Sequence, residues 1–335
     1  MAIKIAINGY GRIGRNLHRQ SLENDDIEVV AINSRAGADS HVYLLKYDSL
    51  YGKCDADIRV AGENMEVNGK TVYVYQIADP ANINWSKHEV DVVIESTGKF
   101  TSKANADRHL QAGAKKVLIT APCKDHDVPN IVMGVNQNSF NPEDYKVISN
   151  ASCTTNCLAP VMKVLHENFE IEQAFVTTIH AFTYTQNLLD NSNPSDFRRA
   201  RATTESIIPT TTGAMKAIGR VIPDLKGRVD GMAFRIPIPT VSCVDISAKL
   251  KKVGSSEAIN DVFKKYESGE LKGILSTTDD PVVSVDFKKD SRSSIIDLLS
   301  TKTMEDGYSK VVSWYDNEWG YVSRILDLLR WMINK

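Results

Sequence analysis

Ile3-Lys4-Ile5-Ala6-Ile7-Asn8-Gly9-Tyr10-Gly11-Arg12-Ile13-Gly14 is the stretch on which the reading of the fold turns. Its first half, IKIAI at 3–7, is a nearly continuous apolar run, the pattern of a strand in a parallel sheet covered on both faces. Its second half is a G-x-G-x-x-G that opens the amphipathic stretch RIGRNLHRQSLE. Strand before and helix after distinguish this motif from an ordinary glycine-rich turn. The glycines let the backbone turn tightly and approach a pyrophosphate, whose charge then meets the free N–H groups at the helix start. Gly9, Gly11 and Gly14 are therefore candidate contacts for a dinucleotide.

Similar runs recur through the first 150 residues: IEVVAI at 27–32, DVVIE at 91–95, KKVLIT at 115–120 and KVISN at 146–150. Alternating with amphipathic stretches, they predict a parallel sheet with helices on both faces. MEV and KTVYV flank Asn68-Gly69, a dipeptide suited to a type I′ turn, so residues 58–75 read as an inserted hairpin. After residue 150 the spacing predicts a helix over 153–168, a strand ending near His180 and a long polar segment to about Pro209. Longer strands in GMAFRIPIPTVS and VDISAKL then imply a mixed or antiparallel sheet. WGYVSRILDLLRWMINK carries apolar residues at helical spacing and predicts a terminal helix. A length of 335 residues exceeds what one core usually organises, so two domains are expected.

Hydrophobic residues make up 42% and charged residues 24%, as in ordinary globular chains, and a net charge of −2 offers no global attraction to nucleic acid or anionic lipid. Five cysteines are too few for a disulfide scaffold and fit a reducing cytosol. MAIKIAING enters a strand directly, without the features of an export signal, and no apolar run reaches about 18 residues. A cytoplasmic location without a membrane or dedicated nucleic-acid partner is expected.

The chemistry motif is Ser149-Asn150-Ala151-Ser152-Cys153-Thr154-Thr155-Asn156-Cys157. A strand ends, polar capping residues follow, and an apolar helix begins, which puts Cys153 at a helix N-terminus. Partial positive charge and free N–H groups there favour thiolate and activate a nucleophile. Cys157, one turn deeper on the apolar face, reads as a structural thiol. No second Cys or His pair stands at zinc spacing, so no metal is expected. Cys54, Cys123 and Cys243 are expected to be buried and inert. A cysteine nucleophile wants an imidazole in reach. His18, His41, His88, His109 and His126 fall in the nucleotide half, and His166 lies too far along the helix after Cys153. His180, closing the strand AFVTTIH at a sheet edge, is left as the candidate, with a structural histidine as the alternative.

About 20 residues past the glycine motif, dinucleotide folds place a carboxylate on the adenosine ribose. Here that position reads Asn33-Ser34-Arg35. Ser34 can donate a hydrogen bond and Arg35 can pair with a 2′-phosphate; alternatively Arg35 faces solvent and NAD binds without that anchor.

INGYGRIGR, SNASCTTNCLAP, TTIHAFTYTQ, RRARATTESIIPTTTGAMKA and WYDNEWGY, in this order, resemble the signature blocks of the glyceraldehyde-3-phosphate dehydrogenase family, over a span from Ile5 to the C-terminus. The resemblance implies an α/β chain with an N-terminal Rossmann NAD(P)-binding domain, 1–151, completed by the C-terminal helix 319–335. An α+β catalytic domain with a mixed or antiparallel sheet, 152–318, follows. It implies phosphorylating oxidation of D-glyceraldehyde 3-phosphate to 1,3-bisphosphoglycerate, as used in glycolysis, gluconeogenesis or photosynthetic carbon fixation, by a homotetramer. Cys153 would form a thiohemiacetal and then a thioester, with His180 as acid/base. Thr183, Thr185 and Arg235 would hold the substrate C3 phosphate, and Ser152, Thr154, Arg199, Thr212 and Gly213 the attacking phosphate. Asn317 would fix the nicotinamide carboxamide, Thr97 and Thr120 would lie near its ring, and Arg12 and Ile13 would offer backbone N–H groups to the pyrophosphate. Ser192 resembles the serine of NADP-using plastid members, which together with Ser34 favours NADP, or dual use, over NAD alone. Erythrose-4-phosphate dehydrogenase shares the scaffold, but PTTTG at 209–213 resembles an intact inorganic-phosphate site. A nucleic-acid or surface-binding protein that has lost the chemistry is opposed by the presence of both Cys153 and His180.

Overall fold

The computed structural model describes residues 2–194 and 196–333. The chain divides into two compact units, the first drawn from Met1–Ile131, Asn138–Ala151 and Val322–Lys335, the second from Val132–Gln137 and Ser152–Tyr321.

Unit 1 contains β1 (Ile3–Asn8), α1 (Arg12–Ser21), β2 (Ile27–Asn33), α2 (Ala38–Lys46), the short ladder of β3 (Tyr47–Asp48) with β4 (Gly52–Lys53), then β5 (Ile58–Ala61), β6 (Asn64–Val67), β7 (Lys70–Tyr75), β8 (Val92–Glu95), α3 (Lys103–Gln111), β9 (Lys116–Ile119) and β10 (Val147–Ser149). Its sheet runs β10-β9-β8-β1-β2-β7-β6-β5, parallel from β10 to β7 and antiparallel in the last two pairings. β8 is buried along its whole length and β1 and β2 nearly so, which is why they read as unbroken apolar runs. The β6–β7 hairpin turns through Asn68 (φ 49°) and Gly69 (φ 78°), the pair of positive φ values that a type I′ turn requires. β1 pairs with β2 on one side and β8 on the other, so the strand order reverses there and opens a crevice beyond the strands' carboxyl ends.

Unit 2 contains α4 (Cys153–Phe169), β11 (Ile171–Ala181), β12 (Ile208–Thr210), α5 (Ala214–Val221), β13 (Val229–Ile236), β14 (Ser242–Leu250), α6 (Ser256–Ser268), β15 (Leu275–Thr278), β16 (Ser294–Asp297), β17 (Lys302–Thr303) and β18 (Tyr308–Tyr315). The sheet order is β12-β13-β11-β14-β18-β16-β15, with β17 also on β18. β11 pairs parallel with β13 and antiparallel with β14, so the sheet is mixed. The expected long strand in GMAFRIPIPTVS is interrupted at Pro237-Ile238-Pro239, where β13 has ended and β14 not begun; proline removes the ladder's N–H donors. α7 (Trp319–Met332) ends the chain. Its part within unit 1 is held there by Ser323 Oγ donating to Gln20 Oε1 (2.9 Å), Arg330 Nε to Asp26 (2.7 Å) and Lys116 Nζ to the Met332 carbonyl (2.8 Å).

One backbone approach sets the geometry that matters most. A Cβ built on Gly231 of β13 would lie 1.9 Å from the carbonyl oxygen of Val176, its register partner on β11. Four residues further along the same ladder, His180 pairs with Arg235. Gly231→Ala must therefore push β13 off β11. A loss of about 3 kcal/mol is expected in denaturant unfolding, with Cys153 reactivity falling as His180 and Arg235 separate; wild-type stability and reactivity would refute this.

Candidate functional site

Ser152 caps α4 by accepting from the Thr155 N–H (3.1 Å), and the preceding residue, Ala151, sits at φ 52°, a left-handed turn that ends the strand side abruptly. Cys153 is consequently the first residue of α4. Its Sγ lies 3.5 Å from Nε2 of His180, at the carboxyl end of β11. On the other side of the imidazole, Nδ1 lies 2.7 Å from the Ala181 carbonyl and 2.6 Å from NH1 of Arg235, which also donates to that carbonyl at 3.1 Å. Nδ1 cannot donate to Ala181 and accept from Arg235 at once. A proton on Nδ1 leaves the Nε2 lone pair facing sulfur, ready to accept; a proton on Nε2 instead donates toward a thiolate.

Burial lowers the His180 pKa to about 3, with the Arg235 charge acting in the same direction and the Ala181 carbonyl against both, so the ring is neutral at physiological pH. Burial pushes the Cys153 thiol up, while Arg235, then the hydroxyl and N–H of Thr154, pull it back. Cys153 keeps part of its surface open, which limits the upward push. The N–H groups of the helix terminus pull in the direction expected from the sequence, but desolvation outweighs them and holds the thiol above its ordinary range. The other thiols differ. Cys157 and Cys243 are buried and pushed up to about 12, and Cys123 is buried. Cys54, expected to be buried, is half-exposed, lying after the β4 edge rather than on a packed face.

The phosphate candidates fall into two sets around Arg235. Thr183 and Thr185 hydroxyls are 2.9 Å apart, joined through Gln186, and the buried Arg235 Nε has no hydrogen-bond partner. Two adjacent hydroxyls suit a phosphate as neutral donors. In the second set Arg199 donates to Thr210 Oγ1 (2.7 Å) and pairs with Asp196 (3.2 Å), while its charge is felt at Arg235. Thr212 Oγ1 accepts the Ala214 N–H at the start of α5, and Gly213, the residue before that helix, leaves open space where a side chain would stand. The hydroxyls of Ser152 and Thr154 have protein partners, Thr155 (2.8 Å) and Tyr315 (3.0 Å), and the Thr154 hydroxyl also draws the Cys153 thiol pKa down.

Tyr315 was not legible as a site residue. Buried at the end of β18, its hydroxyl joins Thr154 and Thr178 (3.2 Å) and its ring meets the His180 imidazole edge-on, centroids 6.1 Å apart. The only local signal was its place two residues before Asn317. Asn317 accepts from Ser242 Oγ at its Oδ1 (2.9 Å), which leaves its amide NH2 as the donor suited to a carboxamide oxygen.

In unit 1 the glycine motif forms a cradle. Gly9 has φ 100°, and a Cβ there would lie 2.6 Å from the Thr97 N; one on Gly11 would meet nothing within 4 Å. α1 starts with no side-chain cap on its first N–H groups, so donors face open space, which fits a pyrophosphate. The Arg12 side chain is held by Asp48 and lies over the Tyr51 ring, leaving its backbone, beside that of Ile13, as the anion contact. Thr97 donates to Glu95 and Thr120 Oγ1 to the Glu95 carbonyl (3.1 Å). Ser34 is held by its N–H on Tyr75 (2.9 Å) with its side chain part-exposed, and Arg35 is exposed without an ion-pair partner among the described residues. Ser192, exposed in the polar segment, has its N–H on its neighbour Asn191. No cluster of His, Cys, Asp and Glu that could hold a metal occurs among the described residues.

Residues 3–103 match the family model for the NAD binding domain of glyceraldehyde 3-phosphate dehydrogenase, and residues 152–317 match that for its C-terminal domain. The chain is 52% identical to the glyceraldehyde-3-phosphate dehydrogenase of Geobacillus stearothermophilus over 335 residues, covering 100% of this chain and 99% of the relative. Identity is 50% to glyceraldehyde-3-phosphate dehydrogenase 1 of Bacillus subtilis strain 168, with the same coverage. With the enzyme of that name from Sclerotinia sclerotiorum it is 48% over 330 residues, 98% of this chain and 97% of the relative.

The electrostatics make a signed prediction. Arg235 holds the Cys153 thiol below where burial alone would put it, so removing that charge raises the thiol pKa and leaves less thiolate at neutral pH. One equivalent of iodoacetamide should label Cys153 alone in the wild type. Arg235→Gln should slow that alkylation roughly three- to tenfold and move its rate–pH midpoint upward. A midpoint unmoved or lowered would remove Arg235 from control of the sulfur.

Proposed function

The chain belongs to the glyceraldehyde-3-phosphate dehydrogenase family, and from that premise we propose how its residues carry out the phosphorylating oxidation of D-glyceraldehyde 3-phosphate. The observation that carries the reading is the Cys153–His180 pair, with Arg235 against the far side of the imidazole.

Thr183, Thr185 and Arg235 bind the substrate's C3 phosphate. Its negative charge offsets the guanidinium that otherwise disfavours an imidazolium, so substrate binding strengthens His180 as a base. Cys153 Sγ then attacks the aldehyde carbon while His180 Nε2 takes the thiol proton, and the N–H of Cys153 at the start of α4 faces the developing oxyanion. His180 then returns that proton to the oxyanion, which completes the thiohemiacetal on Cys153 and leaves the imidazole neutral for the next step. The nicotinamide, when bound, supplies the hydride acceptor; His180 takes the hydroxyl proton as the thioester forms. Arg199, Thr212, Gly213 and the N–H groups around Ser152 and Thr154 hold inorganic phosphate for attack on that thioester, and Cys153 leaves as thiolate with the acyl phosphate released.

Gly9, Gly11, Gly14, Arg12 and Ile13 serve the pyrophosphate, Thr97 and Thr120 the nicotinamide ring, Asn317 its carboxamide, and Ser34, Arg35 and Ser192 favour a 2′-phosphate. A partly exposed serine beside an exposed, unpaired arginine supports NADP use or dual use. We also infer a homotetramer. Phe175 on β11 is 72% exposed, Tyr184 and Phe197 of the long polar segment are 86% and 82% exposed, and Leu188, Leu189 and Ile207 are exposed as well. Apolar exposure of this extent fits surfaces covered by other copies of the chain. A cytoplasmic setting agrees with five cysteines that are all free; no helix among the described residues is long and apolar enough to cross a membrane.

Steady-state oxidation of glyceraldehyde 3-phosphate with NAD and NADP in parallel, with and without inorganic phosphate, tests both parts. Turnover should fall at least about tenfold without phosphate, and NADP should match or exceed NAD. Ser34→Asp should shift the preference toward NAD by roughly 1 to 3 kcal/mol. Phosphate-independent turnover would indicate thioester hydrolysis instead, and NAD-only activity would discard the roles of Ser34 and Arg35. Sedimentation should give a four-chain species that Phe175→Glu weakens; a monomer at micromolar concentration would contradict the tetramer.

A further inference from the structure

A line of buried hydrogen bonds runs across the carboxyl ends of the unit 1 strands, and its direction is settled at both ends. At one end the Ile77 backbone N–H donates to Asn33 Oδ1 (2.9 Å) and its carbonyl accepts from Asn33 Nδ2 (2.9 Å). Asn33 Nδ2 also donates to Asn8 Oδ1 (2.7 Å), which turns the Asn8 amide group toward Glu95 Oε2. At the other end the Trp85 indole N–H, which can only donate, gives its hydrogen to His109 Nδ1 (3.2 Å). The remaining ring proton is then on Nε2, donated to Glu95 Oε2 (3.1 Å). Glu95 Oε1 accepts from the Thr97 N–H (2.8 Å) and from the Thr97 hydroxyl, whose own oxygen accepts the Lys99 N–H.

Three of its neighbours, the Asn8 amide, His109 Nε2 and the Thr97 N–H, can only donate to this carboxyl, an arrangement that suits its acceptor-only, ionised form. Its distance to His109 would qualify as an ion pair, but a ring that accepts at Nδ1 is neutral. Both side chains are 0% exposed, and no cation stands against Glu95 among the described residues. A buried charge balanced only by dipoles is costly to keep. Its location points to a use. Glu95 ends β8, at the reversal of strand order; Thr97 hangs from its carboxylate, and Thr120 bonds its carbonyl through both N–H (2.9 Å) and hydroxyl (3.1 Å). Thr97 and Thr120 are the residues assigned above to the nicotinamide ring, and the inference rests on that assignment.

We infer that Glu95 is the standing countercharge for the oxidised nicotinamide: its buried carboxylate favours the cationic oxidised ring over the neutral reduced one and so sets the cofactor's oxidised-to-reduced binding preference. Glu95 is a positioning residue in this role, since it acts through its field and through Thr97 and exchanges no proton. Hydride transfer abolishes the ring's positive charge, so the same carboxylate favours exchange of reduced cofactor for oxidised.

Dissociation constants for NAD+, NADH, NADP+ and NADPH, measured by fluorescence titration without substrate, test this. Two variants neutralise the site by different routes: Glu95→Gln removes the charge, and His109→Lys places a cation against it. Each should shift the oxidised-to-reduced affinity ratio toward the reduced form by roughly five- to tenfold, while Glu95→Asp, which keeps the charge, should preserve the ratio even where both forms bind more weakly. Equal weakening of both forms in Glu95→Gln and His109→Lys, or a ratio shift in Glu95→Asp as large as in Glu95→Gln, would reduce Glu95 to a structural role and overturn the inference. Failure of the underlying cofactor assignment would look different: Gly11→Val would then leave all four constants unchanged.

Discussion

The parallel pairing of β11 with β13 is the constraint on which the reactive site depends. A glycine at 231 lets the two backbones approach where any side chain would meet the Val176 carbonyl, and the ladder then carries His180 and Arg235 into register. Neither residue is useful without that approach. His180 needs a partner at Nδ1 that holds the ring against sulfur, and Arg235 needs the imidazole and the Ala181 carbonyl to occupy NH1 while Nε stays unpaired. The rest of unit 2 closes around this ladder. β14 brings Ser242 to Asn317, β18 brings Tyr315 to Thr154 and Thr178, and α4 starts with Cys153 at the carboxyl end of β11.

The two units handle charge in related ways. In unit 2 an arginine is partly buried beside a thiol and a neutral imidazole, with burial lowering its own pKa. In unit 1 a carboxylate is buried among neutral donors. Each arrangement is electrostatically incomplete by itself, and in the roles proposed above each would complement a charge the reaction supplies: the substrate's phosphate in one case, the cationic nicotinamide in the other. Desolvation makes such charges strong because little water screens them. The same desolvation explains why Cys153 is not a pre-formed thiolate in the resting site. Helix-terminal polarity, legible from sequence, is opposed by burial, which is not.

Signals local in sequence were read reliably. Continuous apolar runs gave β1, β2, β8, β9 and β10 to within a residue or two, Asn68-Gly69 gave the hairpin turn, and the Ser152-Cys153 boundary gave the start of α4. These depend on turn chemistry, capping and burial on both faces, all properties of contiguous residues. Contacts with partners far along the chain were not legible. Arg235 was assigned only to phosphate, although it also contacts His180, 55 positions away. Thr154 was given to the attacking phosphate, although its hydroxyl meets Tyr315, 161 positions away. Glu95 looked like the last residue of an apolar strand and His109 like one histidine among five in the nucleotide half.

What the sequence determined by itself is the class of fold and its local landmarks: a glycine-rich strand–helix turn, a cysteine at a helix start, and strands whose composition requires cover on both faces. What only the tertiary structure decided is the protonation and orientation of the titratable groups. His180 is neutral because it is buried next to a guanidinium, and Glu95 meets two donors, Asn8 and His109, whose directions are fixed by Ile77 and Trp85. Protonation follows from the sum of surrounding dipoles and charges, and strand register assembles that sum from residues far apart in the chain.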